Sequence, residues 1–258
     1  MLFDSSNNAH FAMWAGSTAA DVMMVPPNDF LPRRGRNATI AVGDLTTFIR
    51  DNTRLCAVPH VPEIALYVAD EAVPLWLKTE AELGAMGLPA PFWAFAWAGG
   101  QALARYVMDH PALVCTRRVL DLASGSGLAA IAAAKAGAVP VVASEIDAFA
   151  EAAIALNADC NNVYIEVLGQ DLLDHPPPLE PRYDVILVGD LFYERETAQR
   201  ALAFLERHAK LGTKVFIGDP GRTYLPTDRL AKQCEYTVPV TRDLEDQSIK
   251  RTAVFTLI

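Results

Sequence analysis

Apolar residues fall at helical spacing behind Asp44, whose carboxylate is suited to an N-cap, through Leu45, Phe48, Ile49 and Leu55. The run Glu63-Ile64-Ala65-Leu66-Tyr67-Val68 predicts a short strand, and the spacing over Leu75 to Met86 predicts a second amphipathic helix. Pro91-Phe92-Trp93-Ala94-Phe95-Ala96-Trp97-Ala98-Gly99-Gly100 then leads into a helix through Ala102, Leu103, Tyr106 and Val107. From there strands and helices alternate. Strands are expected over Arg118 to Leu122, Pro140 to Glu145, Tyr164 to Leu168, Tyr183 to Val188 and Lys214 to Gly218. Helices are expected over Leu128 to Lys135, Ala148 to Ala158, Glu194 to Lys210 and Asp228 to Gln233. Tyr236 to Val240 and Thr252 to Leu257 close the chain as a hairpin-like pair. Apolar strands alternating with helices predict a parallel sheet covered on both faces, an α/β fold.

Composition narrows this to one domain. The 258 residues are 52% hydrophobic, enough for a single large core, and no linker divides the middle of the chain. Residues 1–43 differ: they are rich in Asn, Ser, Pro and Gly, carry Arg33-Arg34-Gly35-Arg36 and lack periodicity. A poorly ordered N-terminal tail is expected there, followed by one domain over 44–258; Met13, Met23 and Met24 are alternative starts. The tail has neither the apolar core of a secretory signal nor the acid-poor composition of a transit peptide. No stretch approaches the about 18 apolar residues of a membrane span. The four cysteines (Cys56, Cys115, Cys160, Cys234) lie far apart, so a reducing, cytoplasmic setting is expected and no metal site is. A net charge of −9 argues against a nucleic-acid partner and is compatible with a basic protein segment.

The chemistry is concentrated at strand ends. Val119-Leu120-Asp121 ends a strand, and Leu122-Ala123-Ser124-Gly125-Ser126-Gly127 turns into a helix, which brings backbone N–H groups close to a ligand. Gly125-Ser126-Gly127-Leu128-Ala129-Ala130 also fits the loose G-x-G-x-x-G/A dinucleotide pattern, so the motif alone is ambiguous. Asp121 sits three residues before Gly125, in a wider loop than that fingerprint, where a carboxylate would repel a pyrophosphate but meet an amine. Glu145 and Asp171 fall at the next two strand ends. Glu145 is placed to accept both hydroxyls of a ribose, and Asp171 an adenine amino group. A ribose, an amine and no phosphate describe S-adenosylmethionine. The candidate contacts are Trp97, Gly99, Asp121, Ala123, Ser124, Gly125, Gly127, Glu145, Ile146, Asp171, Leu172 and Gly189. Trp97 and Gly99 are expected to border the methionine end, the glycine allowing close approach.

The next strand ends Val188-Gly189-Asp190-Leu191-Phe192-Tyr193, which puts Asp190 and Tyr193 beside the transferring methyl. If the acceptor is a lysine amine, Asp190 would orient it and the Tyr193 ring would attract its cation. Gly218-Asp219-Pro220-Gly221-Arg222 closes another strand and reads either as a substrate rim or as a simple turn.

These residues resemble a known family. Phe92-Trp93-Ala94, Trp97 through Leu103, Val119 through Gly127, Gly189 through Tyr193, Ile217 through Arg222, and Glu63 through Tyr67 are similar to the seven-strand methyltransferases that modify lysines in the β subunit of electron transfer flavoprotein. The similarity runs from about Asp51 to the C-terminus; Ala98 stands where relatives carry proline. The resemblance implies a Rossmann-like seven-strand sheet, mostly parallel with the last strand antiparallel, and helices on both faces. It also implies protein-lysine N-methylation with S-adenosylmethionine as donor, S-adenosylhomocysteine as product, and Asp190 and Tyr193 (the D-x-x-Y motif) acting at the substrate amine. Relatives also act on nicotinamide-like small molecules or ribosomal proteins, which remain alternative acceptors. A cofactor-binding regulatory module without catalysis is the alternative outside enzymes.

Overall fold

The computed structural model describes residues 42–69, 90–174, 183–240 and 248–258. The expected tail over 1–43 lies outside them as far as residue 41, while its last two positions, Val42 and Gly43, are helical; the expected helix over Leu75 to Met86 lies outside them. Helix α1 spans Val42–Asn52 and already includes Asp44, so the helix begins before that residue. Leu55 belongs to a strand instead: β1 (Arg54–Val58) and β2 (Val61–Val68) form a small antiparallel hairpin with Cys56 opposite Leu66. The helix ends at Asn52, and the residues after Thr53 instead pair edge to edge with β2.

The main sheet has seven strands: β3 (Val119–Leu122), β4 (Val141–Glu145), β5 (Glu166–Gly169), β6 (Val185–Gly189), β7 (Lys214–Asp219), β8 (Leu230–Pro239) and β9 (Ile249–Leu257). Their order is β5-β4-β3-β6-β7-β9-β8. The pairs among β3 to β7 are parallel, β9 runs antiparallel to β7, and β8 runs antiparallel to β9. Only β9 therefore opposes the common direction, as the family resemblance implied. The chain order reverses between β4-β3 and β6, which opens a crevice at the carboxyl ends of β3 and β6.

Helices α2 (Ala98–Asp109) and α3 (Leu128–Lys135) pack with Val119, Val185, Leu187 and Val254 on one face. Helix α5 (Arg195–Ala209) covers the other face, where Ala198, Ala201, Phe204 and Leu205 meet Leu120, Ile186, Val188 and Ile217. The alternation of Val185 and Leu187 against Ile186 and Val188 is the period of two that a strand buried on both faces requires. Helix α4 (Ala148–Cys160) packs against α1 through Phe149 and Ala153 with Leu45, Ile49 and Trp93. Asn157 of α4 and Asn161, which caps its C-terminus, tie β2 down: their Oδ1 atoms accept the N–H groups of Tyr67 (2.8 Å) and Ala65 (3.1 Å).

The expected helix over Asp228 to Gln233 is not formed. A single 3-10 turn covers Thr227–Arg229, and β8 begins at Leu230, opposite Leu257. Leu230 and Val238 are buried while the intervening residues are mostly exposed, so this stretch serves as an edge strand with one covered face. A bulge between Lys232 and Cys234 offsets the alternation and hides the strand pattern in the sequence.

Candidate active site

The turn after β3 is held from beneath by its own acid. Asp121 is 2% exposed, and its Oδ2 accepts hydrogen bonds from Ser124 Oγ (2.6 Å) and the Ala130 N–H (2.9 Å). The carboxylate thus stitches the turn to the first turn of α3. Burial pushes its pKa up to about 7, with the charge of Glu145 acting the same way and the two hydrogen bonds opposing it. Three residues of the turn take positive φ: Ala123 at 53°, Gly125 at 57° and Gly127 at 85°. A β-carbon on Gly125 would meet nothing within 4 Å, so that glycine faces the open crevice.

Glu145 closes the crevice from β4. Its Oε2 accepts the Gly125 N–H at 2.9 Å and its Oε1 the Ile146 N–H at 2.8 Å, and burial raises its pKa. Beside it Ile146 is 66% exposed, an apolar side chain left uncovered at the rim. Asp147 caps α4 through the Phe149 N–H at 2.9 Å. Asp171, after β5, is turned partly into its own loop. Its Oδ1 accepts the N–H groups of Leu173 (2.9 Å) and Asp174 (3.2 Å), and its Oδ2 pairs with Arg200 at 3.0 Å. Burial pushes this carboxyl up, but Arg200 and the two N–H groups outweigh it and hold the pKa below its usual value. Leu172 is buried beside it.

At the end of β6, Asp190 adopts a left-handed backbone (φ 56°), a conformation Asp tolerates better than most residues, and donates its N–H to Gly218 O at 3.0 Å. Its Oδ2 accepts the Gly100 N–H at the start of α2 (2.9 Å), and its Oδ1 accepts Arg222 Nη2 (2.8 Å). Side-chain exposure is 10% for Asp190 and 9% for Arg222, so this is a nearly dry pair. The Arg222 guanidinium lies 5.6 Å from the Trp97 ring centroid. Trp97 donates its Nε1–H to Phe92 O at 2.8 Å, and the Phe92 ring stands 5.9 Å from Trp97 and 5.7 Å from Tyr193. Burial, with Glu145 and Glu194 nearby, raises the Tyr193 pKa, so its phenol stays neutral.

Gly99 has a different reason from the ligand clearance expected of it. A β-carbon there would overlap Gly218 O and come within 2.6 Å of Asp190 Oδ2, so the glycine lets α2 sit directly on the end of β7. Gly189 likewise faces the Gly100 backbone, 3.1 Å from where its β-carbon would be. The turn after β7 is built on Asp219, whose Oδ1 accepts the N–H groups of Gly221 and Arg222, both at 2.7 Å. Burial first, then the charge of Asp190, push Asp219 up to about 7.

The structure therefore brings Asp121, Ala123, Ser124, Gly125, Gly127, Glu145 and Ile146 to one crevice and Trp97, Gly99, Gly189, Asp190 and Tyr193 to its neighbouring wall. Phe92 and Arg222 were not singled out as site residues. Phe92 stands in the aromatic run before α2 and Arg222 in the turn after β7, but only the adjacency of β6 and β7 and the fold-back of Phe92 onto Tyr193 give them a place. Among the described residues no cluster of three His, Cys, Asp or Glu side chains is arranged to hold a metal ion, and no helix is long and apolar enough to cross a membrane.

A family model described as "Ribosomal protein L11 methyltransferase (PrmA)" matches residues 103–189, from α2 to the end of β6. A solved structure, the ribosomal protein L11 methylase of Lactobacillus delbrueckii subsp. bulgaricus, is 22% identical with a TM-score of 0.44, over 62% of this chain and 79% of that one. The electron transfer flavoprotein beta subunit lysine methyltransferase of Mus musculus is 34% identical over 218 residues, 82% of this chain and 83% of the relative. The protein of the same description from Xenopus laevis is 39% identical over 178 residues, 68% of this chain and 70% of the relative. On that identity and coverage, the chain belongs to the electron transfer flavoprotein beta subunit lysine methyltransferase family.

Proposed function

We propose that this chain transfers a methyl group from S-adenosylmethionine to lysine side chains of the electron transfer flavoprotein β subunit. The observation that carries the reading is the junction of the glycine turn after β3 with Asp190 and its aromatic wall after β6. The crevice chemistry fits the donor: an open cradle at Gly125, a carboxylate at Glu145 for a ribose diol, an uncovered apolar Ile146 for a flat base, and Asp171 one strand further along. Because Asp121 Oδ2 is engaged within the turn, its share in receiving an ammonium group is electrostatic through the turn or falls to Oδ1.

When bound, S-adenosylmethionine supplies an electrophilic methyl: the amine lone pair forms the N–C bond while the C–S bond breaks and its electrons stay on sulfur. The protein's work is to place and deprotonate the amine. Loss of a proton from a lysine of pKa about 10.4 costs roughly 4 kcal/mol near neutral pH. The aromatic rings of Phe92, Trp97 and Tyr193 shape the channel that receives the side chain, and Asp190 gives the amine a hydrogen-bond acceptor that aims its lone pair. The net charge of −9 suits a basic segment around the target lysine. A reducing, cytoplasmic setting, in keeping with the four free thiols, is part of the same reading, and cell fractionation tests it.

The decisive experiment incubates the full chain, labelled S-adenosylmethionine and the purified flavoprotein β subunit. Label on lysines of that subunit, abolished by Asp190→Ala, is the expected outcome. Label that appears only on nicotinamide-like amines or on ribosomal protein in the same reaction overturns it.

A further inference from the structure

Asp190 as a bare carboxylate would work against the reaction it serves. An unneutralised negative charge beside a lysine amine favours the ammonium form, which has no lone pair to give. The structure supplies a counter-charge. Arg222 reaches Asp190 Oδ1 at 2.8 Å, with both side chains about a tenth exposed, and its guanidinium lies over the Trp97 ring at 5.6 Å. The second oxygen, Oδ2, takes the Gly100 N–H at 2.9 Å. Arg222 is itself fixed at the backbone, where its N–H and that of Gly221 are both held by Asp219. The carboxylate is thus aimed by one bond from α2 and one from the turn after β7.

We propose that Arg222 is a positioning residue for methyl transfer: by pairing with Asp190 it fixes the carboxylate and offsets its charge, so that lysine is received as a neutral amine. The inference rests on the lysine acceptor proposed above. The amine's proton goes to solvent before transfer; the lone pair then forms the N–C bond. Among the described residues, the charged or titratable groups near Asp190 come from three elements. The turn after β7 contributes Arg222 and Asp219, the loop after β6 contributes Tyr193 and Glu194, and β4 contributes Glu145 one shell out, while α2 offers only its Gly100 N–H. Among the described residues, Arg222 is the cation paired with Asp190.

The test compares the pH dependence of kcat, at saturating donor and flavoprotein β subunit, for the unsubstituted chain, Arg222→Gln and Arg222→Lys. Gln retains a donor toward Asp190 but removes the charge. The limb that reports amine deprotonation is expected to move up by about one unit in Arg222→Gln, a roughly tenfold loss at pH 7.5 that shrinks toward pH 9.5. Arg222→Lys keeps the limb near its original place. A second readout needs no turnover: the pKa of a 13C-methylated target lysine bound with S-adenosylhomocysteine should rise in the Gln variant. If Arg222→Gln does not fold, as judged by thermal melting, Arg222→Met is measured in its place, and failure of both to fold assigns Arg222 to the scaffold and overturns the proposal. Parallel pH profiles with a uniform loss overturn it too. If the unsubstituted chain labels no lysine at all, the acceptor reading itself has failed, and this inference with it.

Discussion

Gly99 and Gly218 meet backbone against backbone: a β-carbon on either residue would overlap the carbonyl oxygen of the other. This contact lowers the N-terminus of α2 onto the end of β7, and the Gly100 N–H thereby reaches Asp190 Oδ2 at 2.9 Å. The acceptor wall is therefore positioned by an absence of side chains.

Gly99→Ala or Gly218→Ala should separate these elements. Since the obstacle is backbone on both sides, little can relax locally, and a loss of about 3 kcal/mol is expected from overpacking of this kind. Urea unfolding measures it. Methyl transfer should fall further than stability alone accounts for, because Asp190 loses its N–H partner. A variant of unchanged stability with full activity would show that the contact is dispensable.

Ala123 poses the opposite case. It holds φ 53° with a side chain, a conformation that costs an L-residue roughly 1–2 kcal/mol. Ala123→Gly removes that strain and adds unfolded-state entropy, so a net gain of about 0.5–1 kcal/mol is expected in thermal or urea unfolding. A loss of stability would mean that the methyl group packs well enough to outweigh the strain.

The β3 turn, the acids at the carboxyl ends of β3, β4 and β5, and the single opposed strand were all readable in residue order, because each depends on local spacing or on family likeness. What escaped is non-local. Arg222 stands in a turn whose sequence says only that the chain reverses; its partner, Asp190, is 32 residues earlier and is reached because β6 and β7 are neighbours. Gly99 looked like clearance for a ligand, whereas the surface it approaches is Gly218, more than 100 residues away. The strand from Leu230 escaped for another reason: a bulge breaks its alternation, and the pairing edge of β9 decides its state.

Asp219 is expected to make stability fall as pH rises. Its folded pKa, about 7, lies above the unfolded value of about 3.9, so the folded state holds the proton more tightly. The stabilisation is complete below pH about 4, declines through the window up to about 7, and is constant above it. Asp121 and Asp147, also raised to about 7, act in the same direction. Asp219→Asn retains an acceptor for the Gly221 and Arg222 N–H groups and removes one share of the slope. It should raise stability at pH 8 by about 1–3 kcal/mol and change it little at pH 4.5. Melting curves at the two pH values decide this; equal shifts at both would mean that the carboxyl does not titrate in this window.

Asp121 should report donor binding as a proton. Buried beneath the turn at a pKa of about 7, it is mostly protonated at pH 6.5. An ammonium group seated on the turn favours the ionised form and lowers that pKa. Binding of S-adenosylhomocysteine at pH 6.5 is then accompanied by release of up to roughly three-quarters of a proton, and affinity strengthens as pH rises toward about 7. Calorimetry in two buffers of different ionisation enthalpy measures the release directly. Asp121→Asn keeps an acceptor for Ser124 Oγ and the Ala130 N–H, so the turn should persist while the proton release is lost. If release is unchanged in that variant, the proton comes from another of the raised carboxyls, with Glu145 the next to test. If release is absent in both, the ammonium does not sit within reach of Asp121, and the turn holds the donor by backbone contacts alone.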